Sequence, residues 1–198
     1  MSVGARILKW QILTAYAAPK LPTPTSDQQL SWNNVWISYG NNAKGQRWSP
    51  DHIYDPVKLD VSLQQYTTPE MGTLQIDITR IDGSPCWAEP ILWSTTKQNS
   101  ELPEYPNIVY TTVDVSGFTA DPGHQYRIRC YPIGTWYYWD GHNWQVDPAG
   151  GRFEWFLWSG PDRYSRGAAC TNCNINGHSG AWIESLEGDM VFRLYEIL

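Results

Sequence analysis

The chain predicts an all-β fold, an antiparallel β-sandwich, and three observations carry that expectation. Short apolar runs alternate with polar residues at a period of two, and helical spacing is almost absent. Clusters of Gly, Pro, Asn and Asp separate the runs as turns do. Finally, 12 Trp and 12 Tyr stand among 198 residues, more large aromatics than one small core needs. Such side chains bury large area while keeping a polar handle, so part of the set is expected on surfaces that bind.

Residues 1 to 45 differ from the rest. Ile7 to Leu13 reads as a strand, and Pro19, Pro22 and Pro24 then impose an extended, semi-rigid stretch. Asn33, Asn34, Gly40, Asn41 and Asn42 mark turns around the aromatic segment Val35 to Tyr39. Two readings are open here: an N-terminal arm or outer layer ending near residue 45, or simply the first strand of the sandwich. From Val57 the pattern is cleaner. Val57, Leu59, Val61 and Leu63 alternate with Lys58, Asp60, Ser62 and Gln64, as a strand with one wet face does. Leu74, Ile76 and Ile78 repeat that pattern, and Asp82-Gly83-Ser84-Pro85 closes it as a turn. Further strands are expected at Ile91 to Thr95, Ile108 to Val115, Gln125 to Tyr131, Phe153 to Trp158 and Met190 to Leu198. Asp140-Gly141, between Trp136 to Trp139 and Trp144 to Val146, is the strongest hairpin signal. About eight to ten strands without a helix give a sandwich of jelly-roll type over residues 46 to 198.

Composition narrows the function classes. A net charge of −6, with 17% charged residues and no basic run, argues against nucleic acid. The apolar stretch Ile7 to Ala18 is broken by Lys9, Gln11 and Thr14, too short and polar to span a bilayer. It also lacks the basic start and unbroken core of a secretory signal, so production without Sec-type export is expected. Few charges with many aromatics favour packing against neighbours.

The order of features from Gln46 onward resembles a jelly-roll module of phage structural proteins and bacterial surface proteins. The similarity runs from Trp48-Ser49-Pro50 and Tyr54, through Gly83-Ser84-Pro85, Val109 to Val115 and Pro122-Gly123-His124-Gln125-Tyr126. It closes on Trp182 and the strand Asp189-Met190-Val191-Phe192-Arg193-Leu194-Tyr195. It covers about three quarters of the chain, leaving out the N-terminal segment. The Trp136 to Trp158 stretch and the Cys170/Cys173 loop depart from the pattern. The resemblance implies a non-catalytic sandwich used for adhesion, sugar binding or particle decoration.

Two constellations stand out. Cys170-x-x-Cys173 followed by His178 has the opening spacing of a zinc knuckle, but the next ligand position is Ile183. Cys86 or Cys130 would then have to complete a structural Zn²⁺ site; the alternatives are a local disulfide or free thiols. No other cofactor is expected. The second constellation is the aromatic hairpin, with Trp136, Tyr138, Trp139 and Trp144 as partner- or ligand-binding candidates beside Trp10 of the arm. Cross-strand packing, a protein contact and a sugar platform are all compatible with those rings. Glu89, Glu154 and Glu184 carry no spacing that marks a glycosidase pair, and Asp140, Asp147 and Asp162 no recognised Ca²⁺ spacing. No catalytic residue is assigned. The expected function is structural: a virion component, a capsid decoration or tail-associated subunit, whose partners are other copies of itself or a major capsid or tail protein. The alternative is an adhesion module for a host glycan.

Overall fold

A computed structural model of the chain describes residues 20–30, 34–39, 42–66, 70–104, 109–159, 164–184 and 188–198. The strand expected at Ile7 to Leu13 and the candidate Trp10 lie outside the described residues. The described chain is all-β. In order, the strands are β1 (Thr23–Gln29), β2 (Asn34–Tyr39), β3 (Asn42–Trp48), β4 (Lys58–Val61) and β5 (Leu63–Gln65). They continue as β6 (Glu70–Ile81), β7 (Ile91–Gln98), β8 (Thr111–Asp114), β9 (Gln125–Trp139) and β10 (Trp144–Val146). The last five are β11 (Arg152–Ser159), β12 (Ala168–Asn174), β13 (Ser179–Glu184), β14 (Gly188–Met190) and β15 (Phe192–Glu196). One 3-10 turn, Asn99–Glu101, follows β7.

These strands form three antiparallel sheets. A 7-stranded sheet runs β13-β12-β3-β9-β6-β7, with β10 added to β9. A 4-stranded sheet runs β1-β15-β4-β8, and a second is built on β11, which pairs with β2, β5 and β14. The two small sheets meet at a corner, Ser62 and Val191, where β4 passes into β5 and β14 into β15. There Ser62 N–H donates to the Val191 carbonyl, while Val191 N–H and the Ser62 carbonyl bind the Phe156 backbone from opposite sides. The bend keeps every main-chain group paired as the strands change sheet.

The alternation read from the sequence places the core. Leu74, Ile76 and Ile78 of β6, Tyr126 and Ile128 of β9, and Leu59 and Val61 of β4 all point into one cluster. Phe153, Trp155, Phe192 and Leu194 fill it from the small sheets. Each such side chain contributes about 1.5–3 kcal/mol by leaving water. The described part of residues 1 to 45 belongs to this scaffold: β1, β2 and β3 each pair within one of the three sheets. Residue 45, where the N-terminal segment is expected to end, falls inside β3. β1 holds no aliphatic or aromatic residue, so no apolar alternation marks it in the sequence.

The outward face of the large sheet carries buried charge. Arg129 Nε lies 2.9 Å from Asp77 Oδ2, Tyr131 hydroxyl donates to the same carboxylate at 2.8 Å, and Arg127 pairs with Glu89. Gly45 leaves room for them, since a Cβ there would meet the Ile128 carbonyl at 3.0 Å and the Arg127 stem at 3.2 Å. A disulfide between Cys86 and Cys173 ties the turn after β6 over this layer, and Arg129 donates to the Cys86 carbonyl. This pairing replaces the zinc and local-disulfide readings of the Cys170/Cys173 loop, while the free-thiol alternative holds for Cys170. Cys173 is bonded to a residue 87 positions away, and Cys170 is a separate, buried thiol. A bulge in β12 sets Cys170 opposite Gly45 and Cys173 opposite Ala43. His178 occupies the exposed β12–β13 turn with φ 47°. Among the described residues no group of three or more His, Cys, Asp or Glu is placed to hold a metal. The knuckle-like spacing comes from a bulged strand followed by a tight turn.

Candidate functional site

The aromatic hairpin forms as its Asp-Gly signal predicts, but strand parity divides its rings between two faces. Trp144 pairs with Trp139, Gln145 with Tyr138 and Val146 with Tyr137. Trp136 points inward and is fully buried, wedged between two glycines. A Cβ on either Gly72 or Gly151 would lie 2.1 Å from its ring, and its indole N–H donates to the Ile133 carbonyl at 3.1 Å. Trp136 is therefore a core residue and not the ligand-binding ring expected of it. Tyr138 shares its side of the strand and is half-buried.

The opposite face is exposed. Trp139 and Trp144 are 38% and 41% accessible, with ring centroids 5.5 Å apart and planes tilted 60°. Tyr137, Val146 and Met71 continue the same face, because Met71 of β6 pairs with Tyr137. Tyr137, Met71 and Val146 were not among the residues singled out from the sequence; the alternation through Tyr137 and Trp139 was the signal that could have found Tyr137. The hairpin tip is built by Asp140. Its carboxylate accepts the N–H groups of Asn143 at 2.7 Å and His142 at 2.8 Å and the Gln145 amide at 3.1 Å. These bonds, that from Asn143 foremost, hold its pKa below the usual carboxylate value. Gly141 takes φ 99°, the left-handed region the turn needs.

Beside this face lies a cleft of about 170 Å³ lined by Met71, Gly72, Gln98, Asn99 and Ser100. Asn99 is buried; its amide nitrogen donates to the Glu70 carbonyl at 2.8 Å, while its Oδ1 has no partner.

A second exposed apolar surface lies at the root of the N-terminal segment. β1 is an edge strand, pairing Thr23 with Glu196 and Pro24 with Tyr195, and its other edge carries no strand among the described residues. Leu21, Ile53, Ile197 and Leu198 are exposed around it, Leu21 at 80%. A polar cluster fastens β1 beneath this patch. Buried Asp27 accepts the Tyr54 hydroxyl at 2.6 Å and the Tyr164 hydroxyl at 2.8 Å, and Arg166 lies 2.9 Å away. Burial raises the Asp27 pKa against the pull of those donors. Asp51 accepts from Ser26 at 2.6 Å and pairs with His52 at 2.6 Å, whose other nitrogen sits 3.0 Å from Glu196. The hydrogen bond to Asp51, with Glu196 behind it, raises the His52 pKa.

The carboxylates weighed for catalysis have structural partners: Glu89 binds Arg127, Glu154 binds Gln64, and Glu184 lies 2.7 Å from Arg47. Asp147 accepts backbone N–H groups of Ala149 and Gly151, and Asp162 lies outside the described residues. Among the described residues no helix is long and apolar enough to cross a membrane. A scan against protein-family models finds no match to the chain, and no curated protein matches it significantly.

Proposed function

We propose that the chain is a non-catalytic structural component of a virus particle, a capsid-decoration or tail-associated subunit wound in jelly-roll fashion. It associates with other copies of itself or with a major capsid or tail protein through the root of its N-terminal segment. The observation that carries this reading is the set of exposed aliphatic side chains Leu21, Ile53, Ile197 and Leu198 close to β1, itself an edge strand. An exposed edge strand flanked by aliphatic side chains is a template for strand addition, where main-chain hydrogen bonds supply affinity and side chains specificity. The Pro-rich residues before β1 suit an extended arm. The low charge density favours packing against neighbours. The Cys86–Cys173 disulfide suits a protein whose working place is oxidising, as it is for a particle released by lysis of the cell that made it.

The test is light scattering of the full chain and of a Leu21→Glu, Ile197→Glu variant, which leaves β1 whole. The full chain is expected to run as multimers and the variant as a folded monomer. A full chain that stays monomeric at every concentration would remove the basis for self-assembly through this segment.

A further inference from the structure

We infer that the exposed face of the aromatic hairpin and the Asn99 cleft form one binding strip for a neutral oligosaccharide. This goes beyond the assembly role and uses a different surface. Register makes the strip continuous. Val146 of β10 pairs with Tyr137 of β9, Tyr137 pairs with Met71 of β6, and Met71 is itself a wall of the cleft. Trp139 and Trp144 form the neighbouring row, toward the hairpin tip. From β10 to the segment after β7 there are three strand spacings, roughly 14 Å, more than one sugar ring occupies.

The chemistry changes along that length. At the hairpin end Trp139, Trp144 and Tyr137 offer ring faces, flat apolar area of the kind that the C–H face of a pyranose covers. At the cleft end the lining is Gln98, Asn99 and Ser100, amides and a hydroxyl without a charge. The unpaired Asn99 Oδ1 distinguishes the ligand. A buried acceptor without a donor is unfavourable, and Asn99, which carries it, lines the cleft, so we take a ligand O–H group entering there as its partner. A purely apolar ligand would leave that oxygen unpaired. A protein strand added along β10 would meet the rings without needing the cleft. An anion or cation would find no opposite charge there. Nearby Lys97 and Glu101 bind each other at 3.3 Å, and the Asp140 carboxylate is occupied within its own turn. Rings at one end and an amide-lined pocket at the other match a chain of sugars, which presents apolar faces and hydroxyl edges together.

The experiment uses the full chain against an array of neutral di-, tri- and tetrasaccharides, with each hit titrated by tryptophan fluorescence. Saturable quenching by at least one neutral oligosaccharide is expected, with larger effect for the longer sugars. Trp139→Ala and Trp144→Ala, both at exposed positions, should each weaken it by roughly tenfold or more. Ser100→Trp, at the exposed rim of the cleft, should abolish it while the thermal midpoint stays that of the parent. An array without a neutral hit overturns the inference, and so does binding that survives either Ser100→Trp or the double Trp139→Ala, Trp144→Ala change. Because none of these positions lies at the β1 patch, failure of self-assembly leaves this result standing, and the reverse also holds.

Discussion

Trp136 and Trp139 are three residues apart on one strand and have opposite fates. An odd separation puts them on opposite faces, and Gly72 and Gly151 leave the space that only the inward ring fills. Replacing Trp136 by Ala empties a packed slot and should cost about 3–5 kcal/mol in urea unfolding, whereas Trp139→Ala should change stability by less than about 0.5 kcal/mol. The clustering of rings around Asp140-Gly141 was legible in the sequence, but which of them face outward was not, because consecutive aromatics at Trp136 to Trp139 leave no apolar alternation to tell the two faces apart. A titration gives a second check at this scale. The His52 pKa is raised by its contact with Asp51 and by Glu196. Its contribution is thus complete below the unfolded value of about 6.5 and fades as pH rises through the folded value. The stability gap between the parent and His52→Gln should therefore narrow as pH rises above about 6.5. A gap that widens with pH would contradict the assigned contacts.

Among the elements, strands with clean two-residue alternation were legible. β4, β6 and β15 fall where Leu, Ile, Val and Phe recur at every second position. β12 and β13 were not, since Ala, Cys, Asn and Gly carry little strand preference and a bulge breaks their alternation. That hidden hairpin also explains the misread cysteines: two of them share a strand, and the true partner, Cys86, comes from a turn far off in sequence. Closing a loop this long stabilises a domain by about 2–4 kcal/mol. Reduction with dithiothreitol should lower the thermal midpoint of the parent and leave that of Cys86→Ala, Cys173→Ala unchanged. Beneath the disulfide, Arg129→Met would strand the Asp77 carboxylate in the outer layer and should cost about 3–5 kcal/mol. An effect under about 1 kcal/mol would mean that water reaches this pair.

For the whole molecule, the sandwich class followed from composition and periodicity, while its division into three sheets did not. The corner rests on pairings among Ser62, Phe156 and Val191, which stand far apart along the chain, and local pattern cannot reveal them. The same holds for β1, whose place at a free edge turns Leu21 from an ordinary loop residue into part of a patch with Ile53, Ile197 and Leu198. The central claim is that this patch is where the chain meets its neighbours. Sedimentation velocity of the full chain against the Leu21→Glu, Ile53→Glu variant tests it most directly. The parent should sediment as a concentration-dependent multimer and the doubly charged variant as one slow, folded species. Identical boundaries for the two proteins at every concentration would contradict the account.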